Sequence, residues 1–262
     1  MTLPMPDRKP ADLPGHWLFA RLGKRVLRPG GLGLTERMLT DANLAGADVV
    51  ELAPGMGRTA QEIINRHPGS YTGVEGDANA AEVVRGVVGA KGTVVNGEAS
   101  ETGLADGCAD VVVGEAMLTM QTDPHKTEIA REAFRVLRPG GRYAIHELAL
   151  GPAGVSDDVK NEVRTSLARS IKVNARPLTD DEWTKVLTDA GFTVKTISHA
   201  PMSLLEPQRL FADEGIVGAL RFIVNVLRDG DARTRVLEMR STFRKYAKNM
   251  SAIEVIAEKP AA

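Results

Sequence analysis

The sequence predicts an α/β fold: a parallel sheet with helices on both faces. Three observations carry this. Between residues 47 and 147 short apolar runs alternate with segments of helical periodicity, the pattern of a parallel sheet whose crossovers are helices. DVVELAPGMGRTA, Asp48 to Ala60, passes from a buried strand (Val49, Val50, Leu52) through a tight turn into a helix start. Ala53, Glu75, Glu98 and Glu115 fall at or near the carboxyl ends of successive strands, the edge where open α/β sheets bind ligands.

The elements follow in order. Residues 1–15 hold four prolines and little to bury, so an extended or mobile arm is expected. His16 to Leu27 looks helical and is broken by Arg28-Pro29-Gly30-Gly31; Leu34 to Leu44 is a second short helix. Strand one is placed at 47–52, its helix at 58–66, strand two at 70–74, a helix at 78–88, strand three at 93–96 and strand four at 110–113. Asp123-Pro124 reads as a cap followed by proline at the first helical position. That helix ends at the Pro139-Gly140-Gly141 turn into strand five, 142–147.

Val159, Val163, Leu167 and Ile171 recur every four residues, which predicts an amphipathic helix over 156–173. Thr179 to Glu182 is a capping box, and the helix behind it buries Trp183, Val186, Leu187 and Ala190. Strand six is Phe192–Ile197 and a final strand Ser251–Ala257, with a helically patterned insert at 204–249. Residues 1–45 are read as an arm with lid helices, and 46–262 as one ligand-binding domain with a further lid at 155–176.

Composition narrows the function. A net charge of -1 gives no global attraction to nucleic acid or anionic membranes. Basic residues of the insert, such as Arg228, Arg240 and Arg244, are interleaved with acids, and aromatics are sparse. A solvated face or a contact with a second copy, a homodimer, fits that pattern better than an RNA groove. A single cysteine, Cys108, excludes an intrachain disulfide, and the histidines lack metal-ligand spacing, so no metal is expected. No signal-peptide core or ~20-residue apolar span is present, which makes the cytoplasm the default.

The turn after strand one sets the ligand class. Gly55 and Gly57 let a ligand approach the backbone closely, and the following helix points free N–H groups at the same crevice. Glu75 ends the next strand, 24 residues after Glu51, where an acid can bind ribose hydroxyls. A dinucleotide site would put a pyrophosphate beside Glu51, which would repel it; an ammonium group would be attracted. A cationic amino-acid nucleoside therefore fits better than NAD. The alternative for Glu51 is a strand-end cap.

Downstream motifs give a specific resemblance. GVEGDANA (Gly73 to Ala80), NGEAS (Asn96 to Ser100), ADVVVGEAMLTM (Ala109 to Met120) and FRVLRPGGRYAIHE (Phe134 to Glu147) resemble, in order, the motifs of class I S-adenosylmethionine-dependent methyltransferases. The ubiquinone/menaquinone and natural-product methyltransferases are the most similar group. The departures are Ala53 at a usual glycine, Pro54 at a common cysteine, and Glu98 for a more frequent aspartate.

The resemblance implies a Rossmann-like seven-stranded sheet with strand seven antiparallel, helices on both faces, an N-terminal helical lid and a helical insert before strand seven. It implies S-adenosyl-L-methionine as cofactor and S-adenosyl-L-homocysteine as product. The implied cofactor-binding residues are Glu51, Ala53, Pro54, Gly55, Gly57, Glu75 on the ribose, Gly76, Asn79, Gly97, Glu98 on the adenine amino group, Ala99 and Glu115. Arg37 is expected to reach the methionine carboxylate.

On the acceptor side the expectation is a small, partly apolar molecule. GEAM at Glu115 is not the N-P-P-Y type signature of amine methyltransferases. Glu115 and His146 are the catalytic candidates; His146 either takes a proton or closes the sheet end on backbone. His16 and Trp17 either form part of a lid or pack an N-terminal helix. A protein that binds the cofactor without turnover, and an NAD-dependent oxidoreductase, are the competing readings.

Overall fold

In a computed structural model, residues 4–202, 204–205 and 207–261 are described. The sheet has seven strands: β1 (Asp48–Leu52), β2 (Ser70–Glu75), β3 (Thr93–Asn96), β4 (Ala109–Glu115), β5 (Leu137–Leu150), β6 (Thr193–Pro201) and β7 (Met250–Glu258). Their order is β3-β2-β1-β4-β5-β7-β6. Strands β1 to β5 pair in parallel, and β7 runs antiparallel to both β5 and β6. This is the expected Rossmann-like sheet.

Alternation along each strand sends side chains to two apolar layers. Val50, Leu52, Val112, Tyr143 and Ile145 pack with helices α5 (Asp123–Val136) and α7 (Asp180–Asp189). Val49, Val111, Val113 and Ala144 face α2 (Gly31–Asp41), α3 (Arg58–Ile64) and α4 (Ala78–Val88). A third cluster lies beyond the carboxyl edge of the sheet. There α1 (Gly15–Leu22), α6 (Asp157–Ile171), α8 (Pro207–Arg228) and α9 (Gly230–Lys245) bury Phe19, Val163, Leu167, Phe222, Met239 and Phe243.

Several local expectations need correcting. The first helix ends at Leu22, because Gly23 adopts φ 99° and caps it; Lys24 to Leu27 lie outside any helix or strand. Thr122, not Asp123, is the cap residue of α5, and the Asp123 carboxylate instead binds Lys126 and Arg176. Strand β5 runs on to Leu150 because β7 pairs with it from Arg142 to Leu150. The arm, where described, is docked rather than loose: Arg21 donates to the carbonyls of Met5 and Arg8, and Arg235 to those of Pro10 and Leu13. Residues 1–3 of the arm and 206 of the insert lie outside the described residues. The insert forms α8, broken at Gly215 (φ 70°, ψ 174°), and α9. Among the described residues no helix is long and apolar enough to cross a membrane.

Candidate functional site

The carboxyl ends of β1, β2 and β4 open into a cavity of about 220 Å³, walled by Glu51, the Ala53–Thr59 turn, Glu75 and Glu115, and roofed by α1 and the segment after it. The turn is built for close approach. Ala53, Gly55 and Gly57 have φ of 52°, 58° and 73°, a region that favours glycine and strains Ala53. The Gly57 N–H donates to the Pro54 carbonyl at 2.9 Å. A Cβ on Gly57 would lie 3.1 Å from Val87, whereas one on Gly55 would meet nothing closer than the Ala53 carbonyl at 4.0 Å. Gly57 thus serves packing, and Gly55 leaves open space over the turn.

Glu51 is 2 % exposed. Its carboxylate accepts from the Tyr71 hydroxyl at 2.6 Å. Tyr71 reaches it by lying along β2 over Gly73, where a Cβ would sit 2.9 Å from the Tyr71 oxygen. Burial pushes the Glu51 carboxyl up to about 8, against the pull of the Tyr71 hydrogen bond. Glu75 accepts from the Gly55 N–H at 2.8 Å and the Asp77 N–H at 3.0 Å. Burial raises its pKa as well, opposed by those two bonds. Among the described residues neither Glu51 nor Glu75 has an ion-pair partner. Burial makes the ionised form of both carboxyls costly, and a cation in the cavity would offset that cost.

Glu115 sits differently. Its carboxylate accepts from Thr35, Thr59, the Arg28 Nε at 3.3 Å and the His146 Nδ1 at 2.8 Å. Burial alone would raise its pKa; the Arg28 guanidinium and the His146 bond outweigh that and hold it well below the usual carboxylate range. Its oxygens are therefore engaged inside the protein, although its side chain borders the cavity.

The expectation that His146 takes a proton is corrected. Because β5 continues past it, His146 is a mid-strand residue with no exposure, facing α2. Its Nε2 accepts the Gly30 N–H at 3.0 Å and its Nδ1 meets Glu115, so both nitrogens are engaged inside the protein. Arg37 is also displaced. Helix α2 turns Leu34, Thr35 and Met38 inward, which sends Arg37 outward to Asp41 and Glu254, at 3.8 and 3.7 Å. The basic groups at the cavity are Lys24, Arg25 and Arg58 instead. Lys24 pairs with buried Asp213 at 3.1 Å, and the Arg58 Nε is buried without a partner.

Gly76, Asn79, Gly97, Glu98 and Ala99 gather at the ends of β2 and β3, beyond the cavity wall. The Glu98 carboxylate overhangs Gly76, where a Cβ would lie 3.3 Å from it. The Asn79 N–H is donated to Asp77, which caps α4, and the Gly97 N–H to the Glu75 carbonyl. No cluster of metal-ligating side chains occurs among the described residues.

A second cavity adjoins the first, about 70 Å³ and mostly apolar: Phe19, Leu27, Leu148, Ile171, Val173 and Phe243 are among its walls. His16, Leu27, Ala116 and Met120 border both. Residues 117–119 are fixed by Glu147, whose carboxylate accepts the N–H groups of Met117, Leu118 and Thr119 and the Thr119 hydroxyl. Tyr71, Arg28, Thr35, Thr59 and Glu147 were not readable as site residues. Each acts through a partner distant in sequence; only the unusual Tyr71-x-Gly73 spacing beside Glu51 on the neighbouring strand offered a signal.

The buried carboxyls of Glu51 and Glu75 and the open turn fit a cationic nucleoside rather than a dinucleotide. Comparison with known proteins agrees. The family described as "Methyltransferase domain" matches residues 49–141. An uncharacterized protein of Haemophilus influenzae is 31 % identical over 254 residues, covering 95 % of this chain and 99 % of that one. Geranyl diphosphate C-methyltransferase from Streptomyces coelicolor A3(2), solved with S-adenosyl-L-homocysteine and geranyl diphosphate, shares the fold at TM-score 0.61 and 13 % identity, over 87 % of this chain and 77 % of that one. The cyclase SpnF does so at TM-score 0.67 and 17 % identity, over 88 % and 81 %. The dinucleotide reading falls away, and the chain belongs to the class I S-adenosylmethionine-dependent methyltransferases.

Proposed function

We propose that the protein transfers a methyl group from S-adenosylmethionine to a small, largely apolar acceptor. The observation that carries this is the junction: a cavity lined by the acids Glu51, Glu75 and Glu115 shares His16, Leu27, Ala116 and Met120 with a more apolar one. The cofactor supplies an electrophilic methyl on a sulfonium. The chain's own residues have to hold it, align the acceptor and exclude water. Glu51 faces the ammonium group, Glu75 the ribose, Gly55 gives backbone access, and Glu98 with Gly76, Asn79, Gly97 and Ala99 forms the adenine rim. Arg58, with its bare Nε, replaces Arg37 as the candidate for the cofactor carboxylate. A structural neighbour that binds geranyl diphosphate supports an apolar acceptor.

The fold is also that of the cyclase SpnF, and turnover separates transfer from binding alone. Release of S-adenosylhomocysteine in the presence of a panel of small acceptors is the test; binding without release across that panel would favour a cofactor-binding role without transfer. For the cofactor site, Glu75→Ala is expected to lower S-adenosylmethionine affinity by about 1–3 kcal/mol in calorimetry, the cost of a lost charge-assisted bond. Gly55→Ala should weaken binding while the circular dichroism spectrum stays native, since its Cβ projects into open space over the turn and Ala53 already tolerates the same positive φ; unchanged affinity would mean that the ligand does not pass over this turn.

A further inference from the structure

We propose that His16 receives the hydrogen bond of the acceptor, and that the apolar cavity therefore selects a molecule carrying a hydroxyl on a hydrophobic body. The inference rests on the methyl-transfer reading above. It begins with elimination. Three polar side chains, His16, Thr119 and Glu147, line the apolar cavity. Glu147 is spent on three backbone N–H groups and the Thr119 hydroxyl. Thr119 donates to Glu147 and accepts the Leu148 N–H at 3.3 Å. His16 alone has bonding capacity left: its Nδ1 is buried with no partner, and no hydrogen bond to either ring nitrogen exists among the described residues.

Position agrees with capacity. His16 borders both cavities, so an atom bonded to it stands where cofactor and acceptor spaces meet. Its ring is steadied against Trp17, centroids 4.6 Å apart. Helix α1 is seated tightly: a Cβ on Gly15 would lie 3.2 Å from the Ile171 carbonyl and 3.3 Å from the Met239 sulfur. Burial lowers the His16 pKa to about 4, so the ring is neutral at neutral pH and keeps one lone pair. With neither nitrogen bonded, nothing in the protein fixes the tautomer.

The lone pair accepts the acceptor's O–H. As that oxygen gains the methyl, the O–H electron pair stays on oxygen, the C–S pair stays on the cofactor's sulfur, and the proton passes to the ring nitrogen and then to solvent. A weak base suffices, because an oxygen gaining a third bond becomes a strong acid.

p-Cresol and p-xylene, which differ by a hydroxyl for a methyl, test this. Each is titrated into the native protein with and without S-adenosylhomocysteine, with the histidine side chains ¹⁵N-labelled. p-Cresol should bind about 10-fold tighter than p-xylene and shift a His16 nitrogen resonance. His16→Phe should erase that preference, bringing p-cresol and p-xylene to equal affinity, and His16→Gln should restore part of it. Equal binding of the two probes, binding by neither, or a preference that survives in His16→Phe overturns the proposal. Failure of S-adenosylhomocysteine to bind would instead sink the cofactor reading. With S-adenosylmethionine present, the native protein should form 4-methylanisole, and His16→Gln, which accepts a hydrogen bond but no proton, should be slower by about 100-fold. Equal rates, or no 4-methylanisole from the native protein, overturn the proton step.

Discussion

At the residue scale the cofactor cavity turns on Glu51, a carboxyl held up to about 8 mainly by burial. In the free protein it is mostly protonated at pH 7. An ammonium group beside it favours the ionised form, so binding should expel a proton, and affinity should rise with pH from 6 to 8 by up to about tenfold per unit. Calorimetry in buffers of different ionisation enthalpy reads the proton directly. Comparison with Glu51→Gln separates it from titration of the ligand's own amine; identical proton release in both proteins would remove Glu51 from the ammonium site. Tyr71→Phe deletes the bond that stabilises the charged form, and should move the affinity rise to higher pH. The acids of this site were legible in the sequence because each ends an apolar strand. Tyr71 was not, since its role depends on Gly73 leaving room for it and on Glu51 standing one strand away. His146 misled for a related reason: a histidine near a strand end looks available until β7 is seen to prolong that strand and α2 to cover it.

At the scale of elements, the roof over the cavity is held by an exchange between the Lys24–Val26 segment and α8. The break at Gly215 presents Asp213 and Glu214 together. Asp213 pairs with Lys24, both side chains 1 % exposed, and Glu214 accepts the N–H groups of Arg25 and Val26. Removing one member of a buried pair strands the other charge, so Asp213→Ala should cost about 3–5 kcal/mol in urea unfolding, while Lys24→Met with Asp213→Leu should recover most of it. Faster amide exchange at residues 24–28 in Asp213→Ala, with β1 and β4 still protected, would localise the loss to the roof; uniform deprotection would refute a local role. The sheet elements were readable because the central strands β1, β4 and β5 carry apolar runs buried on both faces and each connecting helix has its own periodicity. The roof was not. Its contacts join residues about 190 apart in the chain, and the patterning of the insert gives helices without saying which face meets the arm.

For the whole molecule, the same buried groups set how stability follows pH. The sign comes from which state holds more protons. Glu51 and Glu254, raised to about 8 and about 7 chiefly by burial, keep protons in the folded state that the unfolded chain releases above about 4.5. Glu75 and Glu147 are raised by burial too. All four make stability fall as pH climbs above about 4.5, with Glu51 and Glu254 carrying that fall to about 8 and about 7. His16, lowered to about 4 by burial, acts in the opposite sense between 4 and 6.5, where only the unfolded chain is protonated. Glu115, held low by Arg28 and His146 against its burial, adds stability that is lost as pH drops below about 4.5. Above about pH 4.5 the four raised acids outweigh His16, while Glu115 withdraws stability below it, which places the maximum for the free protein near pH 5, with lower stability at pH 8. Saturating S-adenosylmethionine should flatten the alkaline limb, since a cation beside Glu51 brings its folded-state pKa down and binding grows stronger as that carboxyl ionises. Melting temperatures from pH 4 to 9, with and without the cofactor, give both curves. A free-protein maximum at pH 8, or two limbs that run parallel with and without cofactor, would show that the buried acids are ionised before any ligand arrives.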